Sequence, residues 1–115
     1  ISGNTGVFCD LDDCIRFATM ISKKGEGYID KSLFEYAVTD FTPNLSEHRG
    51  IGFQHIYNRY GHTGFTGTMT WVDPEYDLVY VFLSNRTFPN ADENKLSKAN
   101  VREDIQKVIY ESIKK

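Results

Sequence analysis

Only two cysteines, three prolines, two methionines and one tryptophan occur in the 115 residues. Two cysteines are too few for the disulfide framework that holds small secreted domains together. Cys9 and Cys14 lie five residues apart across an expected helix start. They are expected to point to different sides, as two small semi-buried thiols without the partners of a metal site. Basic charge is not in excess either. Thirteen Lys and Arg against sixteen Asp and Glu leave a net charge of −3, so the electrostatic basis for binding nucleic acid is missing. Apolar runs are short, residues 78–83 being an example, so nothing in the sequence is long enough to span a membrane. The chain opens at Ile1 rather than Met, and the lack of a visible leader therefore excludes nothing. Repeats and low-complexity tracts are also missing.

What the chain does have is aromatic and apolar material. Eight Phe, seven Tyr and an apolar fraction of 40% suit a packed core rather than disorder. At this length the chain is one domain or a piece of one.

Residues 1–8 are rich in glycine and read as a loop. Asp10 suits a helix N-cap, with Asp13 three residues on. Leu11, Cys14, Ile15, Ala18 and Ile21 follow at helical spacing, and Gly25 stands where a glycine ends a helix. Asp12 and Asp13 could form a general acid–base couple, but favourable interaction with the helix dipole is the simpler account. A second helix is expected after Asp30, with Leu33, Phe34 and Ala37 inward. Residues 42–49 read as a polar connection.

From Gly50 the period changes to that of strands. Residues 50–56, 65–72 and 78–83 carry strand-like composition. Asp73-Pro74-Glu75-Tyr76-Asp77 between the last two reads as a hairpin turn. After a polar loop over 84–99, a last helix begins near Asn100, with Val101, Ile105, Val108, Ile109 and Ser112 on one stripe. The class is α+β, with an antiparallel sheet of about three strands and flanking helices. Strands as apolar as residues 78–83 want cover on both faces, more than these few helices supply.

Tyr60-Gly61-His62-Thr63-Gly64-Phe65-Thr66-Gly67-Thr68 is the stretch that points to chemistry. Three glycines in seven positions of a strand mark a bulge or a close approach to the backbone. Acyl-transfer chemistry could use such an edge, a strand N–H stabilising an oxyanion. Thr63 offers a hydroxyl to a carboxylate or carbonyl, and His62 a hydrogen bond or a proton. The plainer alternative is a glycine-rich loop with His62 merely exposed.

Set between Gly50-Ile51-Gly52-Phe53 and the run from Trp71 to Arg86, His62-Thr63-Gly64 resembles the third active-site motif of the serine β-lactamases and penicillin-binding proteins. That motif is usually Lys-Thr-Gly, with His-Thr-Gly in class C-like and esterase-like relatives. Gly3-Asn4-Thr5-Gly6-Val7-Phe8, followed by Asp12-Asp13 and Arg16-Phe17, looks like the family's loop and helix between its second and third motifs. The final helix looks like the one that closes the domain.

The resemblance implies that residues 1–115 are the C-terminal portion of a single β-lactamase-like domain. His62 and Phe65 would be catalytic, the latter through its backbone N–H in an oxyanion hole, while Thr63 and Gly64 would bind substrate. It implies an acyl-enzyme reaction on a small-molecule or peptidoglycan-peptide substrate, with cell-wall peptides, small esters or amides ahead of β-lactams. It implies no cofactor, an upstream part of the same domain as partner, and a periplasmic or cell-envelope setting. Histidine in place of lysine supplies less permanent charge for a substrate carboxylate.

The family's other motifs are not matched in place. Ser112-Ile113-Lys114-Lys115 fits the nucleophile pattern Ser-x-x-Lys, but downstream of the third motif where the family has it far upstream. Ser2-Gly3-Asn4 mimics the second motif but falls in a later loop. The nucleophile is therefore expected outside this sequence. His48, His55 and His62 recur every seven residues, wider than known zinc spacings, and no metal is expected. A second reading rests on residues 94–111, which look similar to β-lactamase-like modules fused behind bacterial β-N-acetylglucosaminidases. In such a setting the chain would be a catalytically silent accessory of a cell-wall glycosidase.

Overall fold

The computed structural model describes residues 6–56 and 58–113. The chain divides into two compact units. One comprises the chain up to His62 together with Thr70–Val81; the other comprises Thr63–Met69 and the chain from Phe82 onward.

The first unit opens on helix α1 (Leu11–Ser22), capped by Asp10, whose side chain accepts from the backbone N–H of Asp13. Asp12 and Asp13 fall in its first turn, where negative charge complements the helix dipole. Gly25, at φ +76°, donates to the Met20 carbonyl and turns the chain out of the helix. Helix α2 (Lys31–Ala37) is capped by Asp30, whose side chain accepts from the backbone N–H of Ser32.

The strands follow: β1 (His48–Arg49), β2 (Gln54–Ile56), β3 (Arg59–Thr63), β4 (Met69–Asp73) and β5 (Leu78–Phe82). They form one antiparallel sheet in sequence order. The register pairs His48 with His55 and Arg49 with Gln54, then Gln54 with Gly61 and His55 with Tyr60. The α+β class holds, with five strands where the sequence suggests about three. The additional pair arises at 48–49, inside the expected polar connection, and at 59–63. Ala18 and Ile21 of α1 and Phe34 of α2 meet Tyr60 of β3 and Val72 of β4 in the core of this unit. Tyr60 sits edge-on to Phe34 and Phe53, with centroids 6.3 and 5.7 Å apart.

The second unit holds the turn over residues 64–68, helix α3 (Lys95–Lys98) within the expected loop, and helix α4 (Val101–Ile113). Asn94 caps α3 by accepting from Ser97.

Two expectations about side chains change. The inward stripes are only partly covered: Leu11 and Ile15 on α1, Leu33 on α2 and Val108 on α4 are exposed. The cysteines do not diverge but touch, with their Sγ atoms 3.4 Å apart. Cys9 precedes the helix and so escapes the helical spacing that would have turned it away from Cys14.

Exposed large apolar side chains outnumber buried ones among the described residues, and apolar surface of this kind favours association where it gathers into patches. The isolated chain is therefore expected to self-associate. Sedimentation over a wide concentration range checks this, and a clean monomer with one cooperative melt would contradict it.

Candidate active site

The site grows from a hairpin that sequence pattern places differently. Strand pairing was expected to begin with Phe65, but β3 ends at Thr63 and β4 starts at Met69. A five-residue turn intervenes, closed by the Gly64 N–H to the Thr68 carbonyl at 2.8 Å and the Gly67 N–H to the Gly64 carbonyl at 3.0 Å. Glycine is needed at two places. At Gly61 a Cβ would run into the Thr70 carbonyl and the Trp71 Cα. Gly67 has φ +99°, and a side chain there would strike Ser84, Leu96 and Arg86.

In the first unit His62 is exposed at the end of β3. The Arg49 guanidinium lies 2.8 Å from its Nε2. Guanidinium only donates, so Nε2 accepts and the ring N–H of this tautomer is at Nδ1. Arg49 is held in turn by Glu47 at 2.7 Å. The backbone of Arg49 donates to the Thr42 Oγ1, itself bonded to the Glu47 carbonyl. A permanent positive charge thus stands beside His62, although the triplet has no lysine. Sequence reasoning missed Arg49, because only the sheet register brings residue 49 near residue 62.

In the second unit Thr63, Gly64 and Phe65 line a cavity of about 160 Å³ with Arg86, Ser97 and Arg102. Phe65 is largely exposed, and the Arg86 guanidinium stacks 4.3 Å from its ring centroid. Arg86 also donates from Nε to the Phe65 carbonyl at 2.6 Å and from a terminal nitrogen to Ala91 at 2.8 Å. Arg102 reaches the Thr68 carbonyl and the Ser97 hydroxyl at 3.3 and 3.4 Å. Its Nε is buried without a hydrogen-bond partner among the described residues. No carboxylate lines this cavity, and neither arginine forms an ion pair among the described residues.

Residues 3–103 match the family model described as Beta-lactamase. The chain belongs to this family. It is 34% identical to a putative D-alanyl-D-alanine carboxypeptidase of Escherichia coli K12, over 83% of this chain and 26% of that protein. It is 33% identical to an N-acetylmuramyl-L-alanine amidase of Bacillus subtilis, over 75% of this chain and 23% of that protein. A putative D-alanyl-D-alanine carboxypeptidase of Salmonella agona is 33% identical over 75% of this chain and 24% of its own length. The chain thus spans about a quarter of the length of the curated relatives it matches. No solved structure matches it. Membership makes the chain part of a serine hydrolase family of the penicillin-binding type.

Among the described residues of the other family patterns, Ser112 does not line this cavity. The Ser112 hydroxyl donates to the Val108 carbonyl of its own helix, while Lys114 and Lys115 lie outside the described residues, as does Ser2-Gly3-Asn4. His48 pairs through Nδ1 with Asp40 at 2.6 Å, and that contact, together with the Thr42 backbone N–H, holds the Asp40 carboxyl below its usual range. His55, opposite His48 in the sheet, has a buried Nε2 without a hydrogen-bond partner among the described residues. Among these residues no cluster could hold a metal ion, and no helix is long and apolar enough to cross a membrane.

Two outcomes are expected. A lysine in place of His62 would set an ammonium against the Arg49 guanidinium. His62→Lys should therefore lower the melting temperature, and adding Arg49→Gln should restore it, with a coupling of ~0.5–1 kcal/mol for this partly exposed pair. A double-mutant cycle reads it directly. Burial chiefly, helped by His48 and opposed by Asp40, depresses the His55 pKa below its ordinary 6.5. The unfolded chain then takes up a proton near that pH that the folded chain refuses, so stability is full above 6.5 and falls as pH drops below it. Melting temperatures measured from pH 7.5 to 5.5 (a range of about one unit either side of 6.5) should show this decline, and His55→Gln should flatten it.

Proposed function

We propose that the chain forms the substrate-binding wall of a serine acyl-hydrolase acting on cell-wall peptides that end in a free carboxylate. The pair of guanidiniums beside Thr63, with no acid in the same cavity, carries this reading. An uncompensated pair of arginines favours an anion, and their planar forks match a carboxylate. The names of the relatives, a putative D-alanyl-D-alanine carboxypeptidase and an N-acetylmuramyl-L-alanine amidase, favour a peptide of the bacterial envelope over a small ester. An envelope location follows from the same reading.

In this scheme the 115 residues are the C-terminal portion of one domain, and the nucleophilic serine comes from an upstream part. That serine attacks the peptide carbonyl and forms an acyl-enzyme, which water then hydrolyses. The backbone N–H of Phe65 stabilises the oxyanion. Thr63 and the backbone at Gly64 hold the substrate, and Arg102 and Arg86 draw its terminal carboxylate. His62 orients or protonates groups near the serine, in the tautomer that Arg49 selects. No cofactor takes part.

The test uses the full-length parent protein. His62→Ala should lower turnover on the order of 100-fold with little change in melting temperature, and His55→Ala should have a much smaller effect. Arg102→Ala should raise KM about 10-fold for a D-alanyl-D-alanine peptide, but leave its C-terminal amide nearly unaffected. Equal losses on acid and amide would remove the carboxylate role. A parent protein that binds wall peptides without turning them over would establish instead the silent accessory module of a cell-wall glycosidase.

A further inference from the structure

Cys9 and Cys14 occupy the two positions that a helix start brings together. Asp10 is the N-cap of α1: its side chain accepts from the Asp13 N–H at 3.0 Å and its carbonyl from the Cys14 N–H at 3.2 Å. Counted from that cap, Cys9 is the residue before it and Cys14 the fourth helical residue. In many helices these two positions hold apolar side chains that clasp across the first turn and fix the entry of the chain. Here both are thiols, 3.4 Å apart at sulfur. Both are free, Cys9 exposed and Cys14 half-buried. The cap already holds the backbone on either side, and a disulfide requires the sulfurs to close by only about 1.4 Å.

We infer that Cys9 and Cys14 form a reversible disulfide, a covalent staple across the first turn of α1, by exchange with an external disulfide of the glutathione class. Cys9, the more accessible, attacks first. Its thiolate bonds to one sulfur of the external disulfide, and the other half leaves as a thiolate that takes up a proton. Cys14 then gives its proton to solvent and attacks the Cys9 sulfur, releasing the second half as a thiol. Two protein thiols are oxidised and one external disulfide is reduced to two thiols, with no further reactant. The second step is the slow one. Burial first, then the neighbouring Cys9, Asp10 and Asp13, raise the Cys14 thiol above its ordinary 9.0, so little of it is thiolate near neutral pH. The closed staple would hold the capped entry of α1 and restrict the unfolded chain.

The test equilibrates the purified chain in graded mixtures of reduced and oxidised glutathione, quenches by alkylation and counts the blocked thiols by mass. The doubly alkylated monomer should give way to an unalkylated monomer whose mass is two hydrogens below that of the reduced, unmodified chain. Its equilibrium constant should be at least about tenfold larger in native buffer than in strong denaturant, and the oxidised chain should melt roughly 3–8 °C higher. Cys14→Ser should trap one glutathione on Cys9. Three outcomes would overturn the staple: thiols that stay alkylatable in excess oxidised glutathione, thiols that end only in mixed or intermolecular disulfides, and equal constants in native and denatured chains.

Discussion

The close approach of β3 and β4 at Gly61 is the contact on which the site rests. No side chain fits between that Cα and the Thr70 carbonyl, so the two main chains can pair without interruption as far as Thr63. Tyr60, one residue earlier, is packed into the core against Phe34 and Phe53. His62, two residues further, is exposed. The change from core anchor to candidate functional group takes place inside one strand. A strand holds a side chain in a narrower range of positions than a loop does, which is what a catalytic group needs.

Charge is arranged against the trend of the whole molecule. The chain carries a net −3, yet arginines stand at the candidate segment: Arg49 on His62 in the first unit, Arg86 and Arg102 by Thr63 in the second. Arg49 and Arg86 are fixed by acceptors that the fold itself provides. Arg49 is braced by Glu47, and Arg86 by the Phe65 and Ala91 carbonyls. Their ordering is thus supplied by the fold, and a bound anion would not have to supply it. In the proposed reaction His62 would not need to carry the charge that lysine brings to the usual triplet, since Arg49 already stands beside it. Histidine is then left with the hydrogen-bonding part of the role.

Much of the fold was legible because its signals are local. Asp10 and Asp30 cap their helices, residues 73–77 turn the last hairpin, and α4 starts beside Asn100. The shift of the strand from 65–72 to 59–63 and 69–73 has a physical cause. Glycine lowers strand propensity at Gly61, but the close backbone approach there depends on glycine, while Gly64 and Gly67 serve the turn. The three arginines carry no local signal at all, since register and the α3 region bring them into place. The cysteine contact was legible in principle. Read with the cap at Asp10 as the origin, residues 9 and 14 are neighbours; read as helical positions alone, they are not.

The uncovered apolar surface bears on the proposed reaction. Leu11, Ile15 and Leu33 are exposed, yet they recur at the helical period along with the buried Ala18, Ile21 and Phe34, and such a stripe is the mark of a face made to be buried. In β5 every residue is only half-buried. If the remainder of the domain brings the serine, as the proposed function requires, it would also be the natural cover for these stripes. Burial of apolar area, at about 25 cal/mol per Å², would then fix the nucleophile relative to the strand that carries His62 and Thr63. Positioning to within a fraction of an ångström is what acyl transfer asks of its groups, and a shared core is the rigid means of meeting it. The features that leave this chain thin on its own are therefore those that an assembled active site would use.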